Sequence, residues 1–170
     1  MDTYYTIEEK YLQAVEEVSY GKSPKALNLL NEIIQSEPQY ARAHYQLGKL
    51  YFYEIEDYQT AGYHFKTCME LEPSFPDVYY HFLSLVVFLN MEKQVENIIS
   101  NAVITPGMNL TVIYNLQGLF FEKNKSWKKA LKAYKKAFYE VTDKWQKESI
   151  EESLKRVKEK KCSKKQAVSA

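Results

Sequence analysis

Glycine and proline are scarce in this chain, five of each in 170 residues. Both residues punctuate turns, so their scarcity excludes a protein of many short strands and favours long helices. Cysteine is nearly absent. Cys68 lies among helical apolar residues and Cys162 in a lysine-rich stretch. The pair offers no disulfide framework, and a reducing, cytoplasmic setting is expected. The longest apolar run, around Leu85 to Leu89, falls far short of the roughly 20 residues a membrane-crossing helix needs. The opening MDTYYTIEEK is acidic and polar, which is not the pattern of a targeting segment. Signatures of catalysis are missing too. His44, His64 and His81 stand apart without HExxH-type spacing, and there is no Gly-rich phosphate loop or serine nucleophile motif. No catalytic residue, metal ligand or cofactor is therefore expected, and Cys68 reads as a small core residue. Asn109-Leu110-Thr111 and Asn124-Lys125-Ser126 match the glycosylation pattern and, without a secretory signal, read as chance.

What the chain does have is apolar content, 45%, and aromatic rings, 15%, mostly Tyr. That is enough to build a core. Tyr is amphipathic, its ring packing while its hydroxyl stays wet or finds a partner. Charge nearly cancels overall but is unevenly placed. Residues 1–122 hold sixteen acidic and seven basic side chains, a balance of −9, and residues 123–170 hold six and sixteen, a balance of +10. Such asymmetry marks either an electrostatic contact or a solvated lysine face.

The chain also repeats itself. Glu37-Pro38-Gln39-Tyr40 returns as Glu72-Pro73-Ser74-Phe75 and more weakly as Thr105-Pro106-Gly107-Met108, with the prolines 35 and then 33 residues apart. Leu47-Gly48-x-x-Tyr51 returns as Gln117-Gly118-x-x-Phe121. Ala26-x-x-x-Leu30 returns as Ala61-x-x-x-Phe65, Val95-x-x-x-Ile99 and Ala130-x-x-x-Tyr134, followed by Ile33, Cys68, Ala102 and Ala137. A period near 34 closed by proline implies paired antiparallel helices. Gly48 and Ala61 would let two backbones approach, Tyr51 and Phe65 would fill the flanking gaps, and Pro38 and Pro73 would end the second helices. Tyr58 also reads as packing. One extra residue between Gly48 and Ala61 predicts a longer turn near Glu54–Asp57.

This pattern resembles the tetratricopeptide repeat over about residues 7–144. The second repeat matches at Leu47, Gly48, Tyr51, Tyr58, Ala61, Phe65 and Pro73, and the fourth at Tyr114, Gly118, Phe121, Ala130, Tyr134 and Ala137. The third departs most, with Leu83 and Val95 where small residues are usual. The resemblance implies an all-α, right-handed superhelical array of about four hairpins (7–40, 41–75, 76–109 and 111–144) after an N-terminal extension, 1–6. A capping helix, 145–160, is expected from the stripe Trp145, Ile150, Leu154 and Val157, since a repeat array needs its last core surface sealed. The lysine-rich 161–170 reads as a disordered tail. Tyr4 and Tyr5 could pack on the first helix.

The resemblance further implies a concave groove lined by the first helices. By position its lining includes Glu8, Tyr11, Leu12 and Val15, then Arg42, Tyr45, Lys49 and Phe52. Asp77, Tyr80, His81, Ser84 and Val87 follow, then Val112, Asn115, Leu116 and Leu119. Tyr11, Tyr45 and Tyr80 hold equivalent places and should form a ladder, either binding a peptide or shielding the groove. The clamp with which some family members grip chaperone tails is missing. Its Lys and Asn of the first repeat fall on Tyr11 and Val15, the second-repeat Asn on Gln46, and the third-repeat Lys and Arg on Asp77 and His81. A basic surface of Lys128, Lys129, Lys132, Lys135 and Lys136, continued by Lys155, Arg156, Lys158, Lys160 and Lys161, could meet an acidic partner or an anionic membrane. It lacks the arginines and interleaved aromatics of a nucleic-acid reader, which argues against nucleic acid as partner. The expected function is a non-catalytic scaffold or adaptor that binds a protein or peptide. The alternatives are a dedicated chaperone of a secreted or assembling protein, or a structural subunit that self-associates through its charge asymmetry.

Overall fold

A computed structural model describes residues 6–168. Among these residues the elements are α1 (Ile7–Ser19), α2 (Ser23–Ser36), α3 (Ala41–Leu50), a π-helical turn (Tyr51–Ile55), α4 (Tyr58–Leu71), α5 (Pro76–Phe88), α6 (Glu92–Ile104), α7 (Leu110–Lys123), α8 (Trp127–Glu140) and α9 (Lys144–Val168), with no strand. The chain forms two compact units, one running to Leu85 and one beginning at Val86, so the border falls inside α5. Tyr4 and Tyr5 lie outside the described residues. α9 continues past the expected end at 160, so the segment read as a disordered tail is helix as far as Val168. Composition misled here: Lys, Gln and Ala are good helix formers, and no Gly or Pro interrupts them.

Side-chain caps set several helix starts. Thr6 and Glu9 form a capping box at α1, and Asp57 and Asn109 accept the backbone N–H groups of Thr60 and Val112 at α4 and α7. Second helices stop where the sequence says they must, since α2, α4 and α6 each end two residues before Pro38, Pro73 and Pro106. The turns inside the hairpins share one device, a residue with left-handed backbone at Gly21, Glu56, Asn90 and Lys125 (φ 72, 61, 59 and 55°). It comes seven residues after Ala14, Leu83 and Gly118, but eight after Gly48. The extra residue expected there is taken up by the π-helical turn, which is an α-helix carrying one inserted residue.

Volume is traded across the helix crossing of a hairpin. A Cβ at Gly48 would lie 2.5 Å from the Phe65 ring, and one at Gly118 would lie 2.5 Å from the Tyr134 ring. The first hairpin uses Ala14 and Leu30 at these positions, both fully buried. The third repeat carries Leu83 and Ile99 at the corresponding places in the sequence, so its divergence is a large residue where the other three have a small one.

In the first unit, α1, α2 and α3 close around a core of Ala14, Ala26, Leu30, Ile33, Ala43, Leu47 and Leu50, and α4 packs on α3 with Phe65 against Gly48. In the second, α7, α8 and α9 close around Tyr114, Ala130, Tyr134, Ala137, Ile150 and Val157. Trp145 stands off the expected stripe, because at about 100° per residue it lies on a different side of α9 from Ile150, Leu154 and Val157. It is 79% exposed. No described helix is long and apolar enough to cross a membrane.

Candidate functional site

The first-helix residues of the first unit gather into two patches. One surrounds Glu8. The Tyr40 hydroxyl donates to its carboxylate at 2.6 Å, and Arg42 pairs with it at 3.5 Å. Tyr11 packs its half-buried ring on Tyr40 at 5.5 Å, and its hydroxyl accepts from the Gln46 amide at 3.4 Å. Burial and the Glu8 carboxylate raise the Tyr40 phenol to about 12.

The second patch joins α3, the π-helical turn and α5. Tyr45 meets Phe75 edge-on at 5.0 Å and His81 at 5.6 Å, and the Lys49 ammonium sits 5.3 Å from its ring centre. Tyr45 is only 7% exposed, so this ring is mostly packed. Phe52 lies in the π-helical turn against Tyr53 at 4.4 Å. The extra residue of that turn brings Tyr53 to His81, whose Nδ1 is 2.9 Å from the Tyr53 hydroxyl. Tyr80 stacks edge-on against His81 at 4.8 Å. Tyr53 and Tyr80 remain 47% and 42% exposed, so the cluster shows two rings to solvent over a packed base. Asp77 is exposed in the first turn of α5, while Ser84 donates its hydroxyl to the Tyr80 carbonyl of its own helix. Burial, with the Lys49 ammonium nearby, lowers His81 to about 4 against some opposition from Asp77. His81 is therefore neutral near pH 7 and acts here as an aromatic, hydrogen-bonding ring. Tyr53 was not among the expected groove residues, since the π-helical turn that aims it could not be seen in the sequence.

His44 and His64 form a buried pair, with Nδ1 to Nδ1 at 2.9 Å and the His44 Nε2 at 2.9 Å from the Pro38 carbonyl. If His44 donates to that carbonyl, its Nδ1 is an acceptor and His64 donates to it. Burial and the neighbouring His44 lower His64 to about 4, and Tyr51 stacks on its ring at 5.6 Å. One repeat later the Tyr79 hydroxyl donates to the Pro73 carbonyl at 2.7 Å, so the contact recurs with different chemistry. Burial raises the Cys68 thiol to about 12, as suits a packed thiol rather than a nucleophile. Among the described residues no group of His, Cys, Asp and Glu could hold a metal ion.

In the second unit, Leu119 is exposed on α7, and Asn115 opens on a cavity of about 380 Å³. Thr111, Val112 and Asn115 of α7 line it with Trp145, Gln146, Ser149 and Ile150 of α9. All five surface lysines of α8 are exposed. Lys129 and Lys136 lean over the Phe121 and Tyr114 rings of α7, at 5.2 and 4.8 Å. That leaves Lys128, Lys132 and Lys135 as the outward stripe. Arg156 and Lys160 have their charge balanced by an acid. Both are half-exposed and bind Glu122, Arg156 with two bonds of 2.9 Å and Lys160 with one of 2.8 Å. The Tyr134 hydroxyl also donates to Glu122 at 2.9 Å. Glu122 is 8% exposed, and the Arg156 bonds, with Lys160 and Tyr134 behind them, lower its carboxyl to about 2 against the opposing effect of burial. A single buried acid thus fastens α7, α8 and α9.

No protein-family model matches the sequence, and no curated protein does. Solved structures match over most of the chain. MamA from Desulfovibrio magneticus RS-1 has a TM-score of 0.67 at 19% identity, covering 92% of this chain and 96% of that one. PilW, a widely conserved type IV pilus biogenesis factor, has 0.70 at 13%, covering 90% and 78%. A thermophilic TPR protein of Thermus thermophilus has 0.62 at 17%, covering 89% and 81%. At these identities the likeness speaks for the fold. With hairpins on a period near 34 residues, prolines closing the second helices and small residues at the crossings, the chain has the all-α tetratricopeptide repeat fold.

Proposed function

We propose that this protein is a non-catalytic adaptor that binds a polypeptide partner on the first-helix face of its hairpins. One observation carries the reading. Tyr53 and Tyr80 present exposed rings side by side on a base formed by Tyr45, Phe75 and His81, with the Lys49 ammonium beside them. Exposed rings on packed supports lose little side-chain entropy on binding, and aromatic anchors dominate interface energetics. Such a patch suits an extended or helical segment with apolar side chains. The test is affinity capture from extracts of the source cells with wild type and a Tyr53→Ala/Tyr80→Ala variant. A polypeptide held by the first and released by the second, at equal helicity, supports the reading. Equal retention by both overturns it.

A second reading has its own observation. Residues 1–85 hold thirteen acidic and six basic side chains, and residues 86–170 nine and seventeen, so the two compact units carry −7 and +8. Opposite charge on the two units favours copy-to-copy docking, in which the protein acts as a structural subunit. Sedimentation at low and high salt tests it. Association that vanishes with salt supports self-docking, and a monomer at both ionic strengths removes it.

A further inference from the structure

The cavity between α7 and α9 differs from its surroundings. The second unit is dense in charge, yet no charged side chain lines this cavity. Val112 and the buried Ile150 give it an apolar part. Four polar side chains converge on it, those of Thr111, Asn115, Gln146 and Ser149, and none of them enters a hydrogen bond among the described residues. At its edge stands Trp145, 79% exposed in the first turn of α9. A large apolar ring left in water beside a hollow gains stability only when something fills the space beneath it.

We propose that this cavity is an anchor pocket for one large uncharged side chain of a bound polypeptide, preferably aromatic, with the Trp145 indole closing over it. The proposal rests on the polypeptide-binding reading above and names one feature of the ligand. Several observations select the occupant. A neutral lining gives a buried carboxylate or ammonium no partner and excludes both. A volume of about 380 Å³ lies at the small end of ligand pockets, which suits a side chain rather than a folded element. Unused amide and hydroxyl groups beside apolar Val112 and Ile150 match a residue whose ring is apolar and whose flanking peptide groups donate and accept hydrogen bonds.

Trp145 is itself the reporter. Trp127→Phe removes the only other tryptophan together with an indole N–H that is buried without a partner. In that background the probes are short Gly/Ser peptides with one central Phe, Gly or Asp, and N-acetyl-phenylalaninamide. The expected result is a saturable change in Trp145 emission with the Phe peptide and none with Gly or Asp. The free amide should bind at least about tenfold more weakly. Ser149→Phe, which fills the cavity from its exposed rim, should abolish the response at unchanged helicity. The absence of saturation, an equal response to Gly or Asp, or an undiminished response in Ser149→Phe overturns the proposal. So does an amide that binds as tightly as the peptide, which would mark a site for free aromatic molecules. The readout belongs to Trp145 alone. If Tyr53→Ala/Tyr80→Ala releases the captured partner while the peptides leave Trp145 unchanged, the anchor pocket fails and the adaptor reading stands.

Discussion

Gly48 and Phe65 occupy one space: the ring of the second fills the place where a side chain on the first would begin, 2.5 Å from its would-be Cβ. The same relation holds between Gly118 and Tyr134. Alanine at a helical glycine normally gains up to about 1 kcal/mol. Here overpacking outweighs that gain, and Gly48→Ala should destabilise the protein by about 1–2 kcal/mol in urea unfolding. Adding Phe65→Leu should recover part of the loss. A Gly48→Ala protein as stable as wild type would contradict the crossing geometry.

Tyr45 and Tyr80 hold equivalent repeat positions but sit in different surroundings. Tyr45→Ala removes a buried ring and should cost roughly 3 kcal/mol of stability. Tyr80→Ala, at a half-exposed ring, should stay within about 1 kcal/mol of wild type. Denaturant midpoints of the two variants separate packing from binding. If both variants unfold alike, the two rings do not differ in role.

Acid should loosen the two units at different pH. His64 and His81 titrate at about 4 in the folded protein against an ordinary 6.5, so the unfolded chain takes up their protons first. The stability tied to them is intact above pH 6.5 and is lost as pH falls from there to about 4, at most about 3 kcal/mol for His64 and less for the partly solvated His81. Glu122 titrates at about 2 against 4.5, so its contribution is intact above 4.5 and fades as pH falls towards 2. Allowing for water around Arg156 and Lys160, it amounts to about 2 kcal/mol. Hydrogen exchange at about pH 7, 5.5 and 4.5 should show amides of α3 and α4 losing protection before those of α7 and α8. Simultaneous loss would argue against the histidine assignment.

Three hairpin turns place a side chain where glycine is favoured. Glu56→Gly and Lys125→Gly, with φ of 61 and 55°, should stabilise the protein by up to about 1 kcal/mol by relieving left-handed backbone strain. Gly21→Ala should cost a similar amount. Thermal unfolding of the three variants checks the pattern, and a lower midpoint for both glycine substitutions would overturn it.

The hairpins were legible because their constraints are local and recur. Proline ends a helix wherever it stands, and Gly48 opposite Phe65 is a volume rule visible in spacing alone. The extra residue after Gly48 could be counted, but whether it lengthened a loop or entered a helix depended on how Tyr51 and Phe52 pack. The fate of Tyr45 depended on Phe75 and His81, and that of Arg156 on Glu122, 34 positions earlier, so neither could be read from its own neighbourhood. Trp145 belonged to a plausible apolar stripe until the rotation of α9 turned it outward.

Glu122 ties the length of this protein to its electrostatics. A chain cut just before Arg156 would keep the acid and its phenol partner and lose both cations at once. The carboxylate, left in an apolar setting, would then favour its protonated form. Shortening α9 to that point would thus strip the last hairpin of its buried Val157 and of both cations in one step.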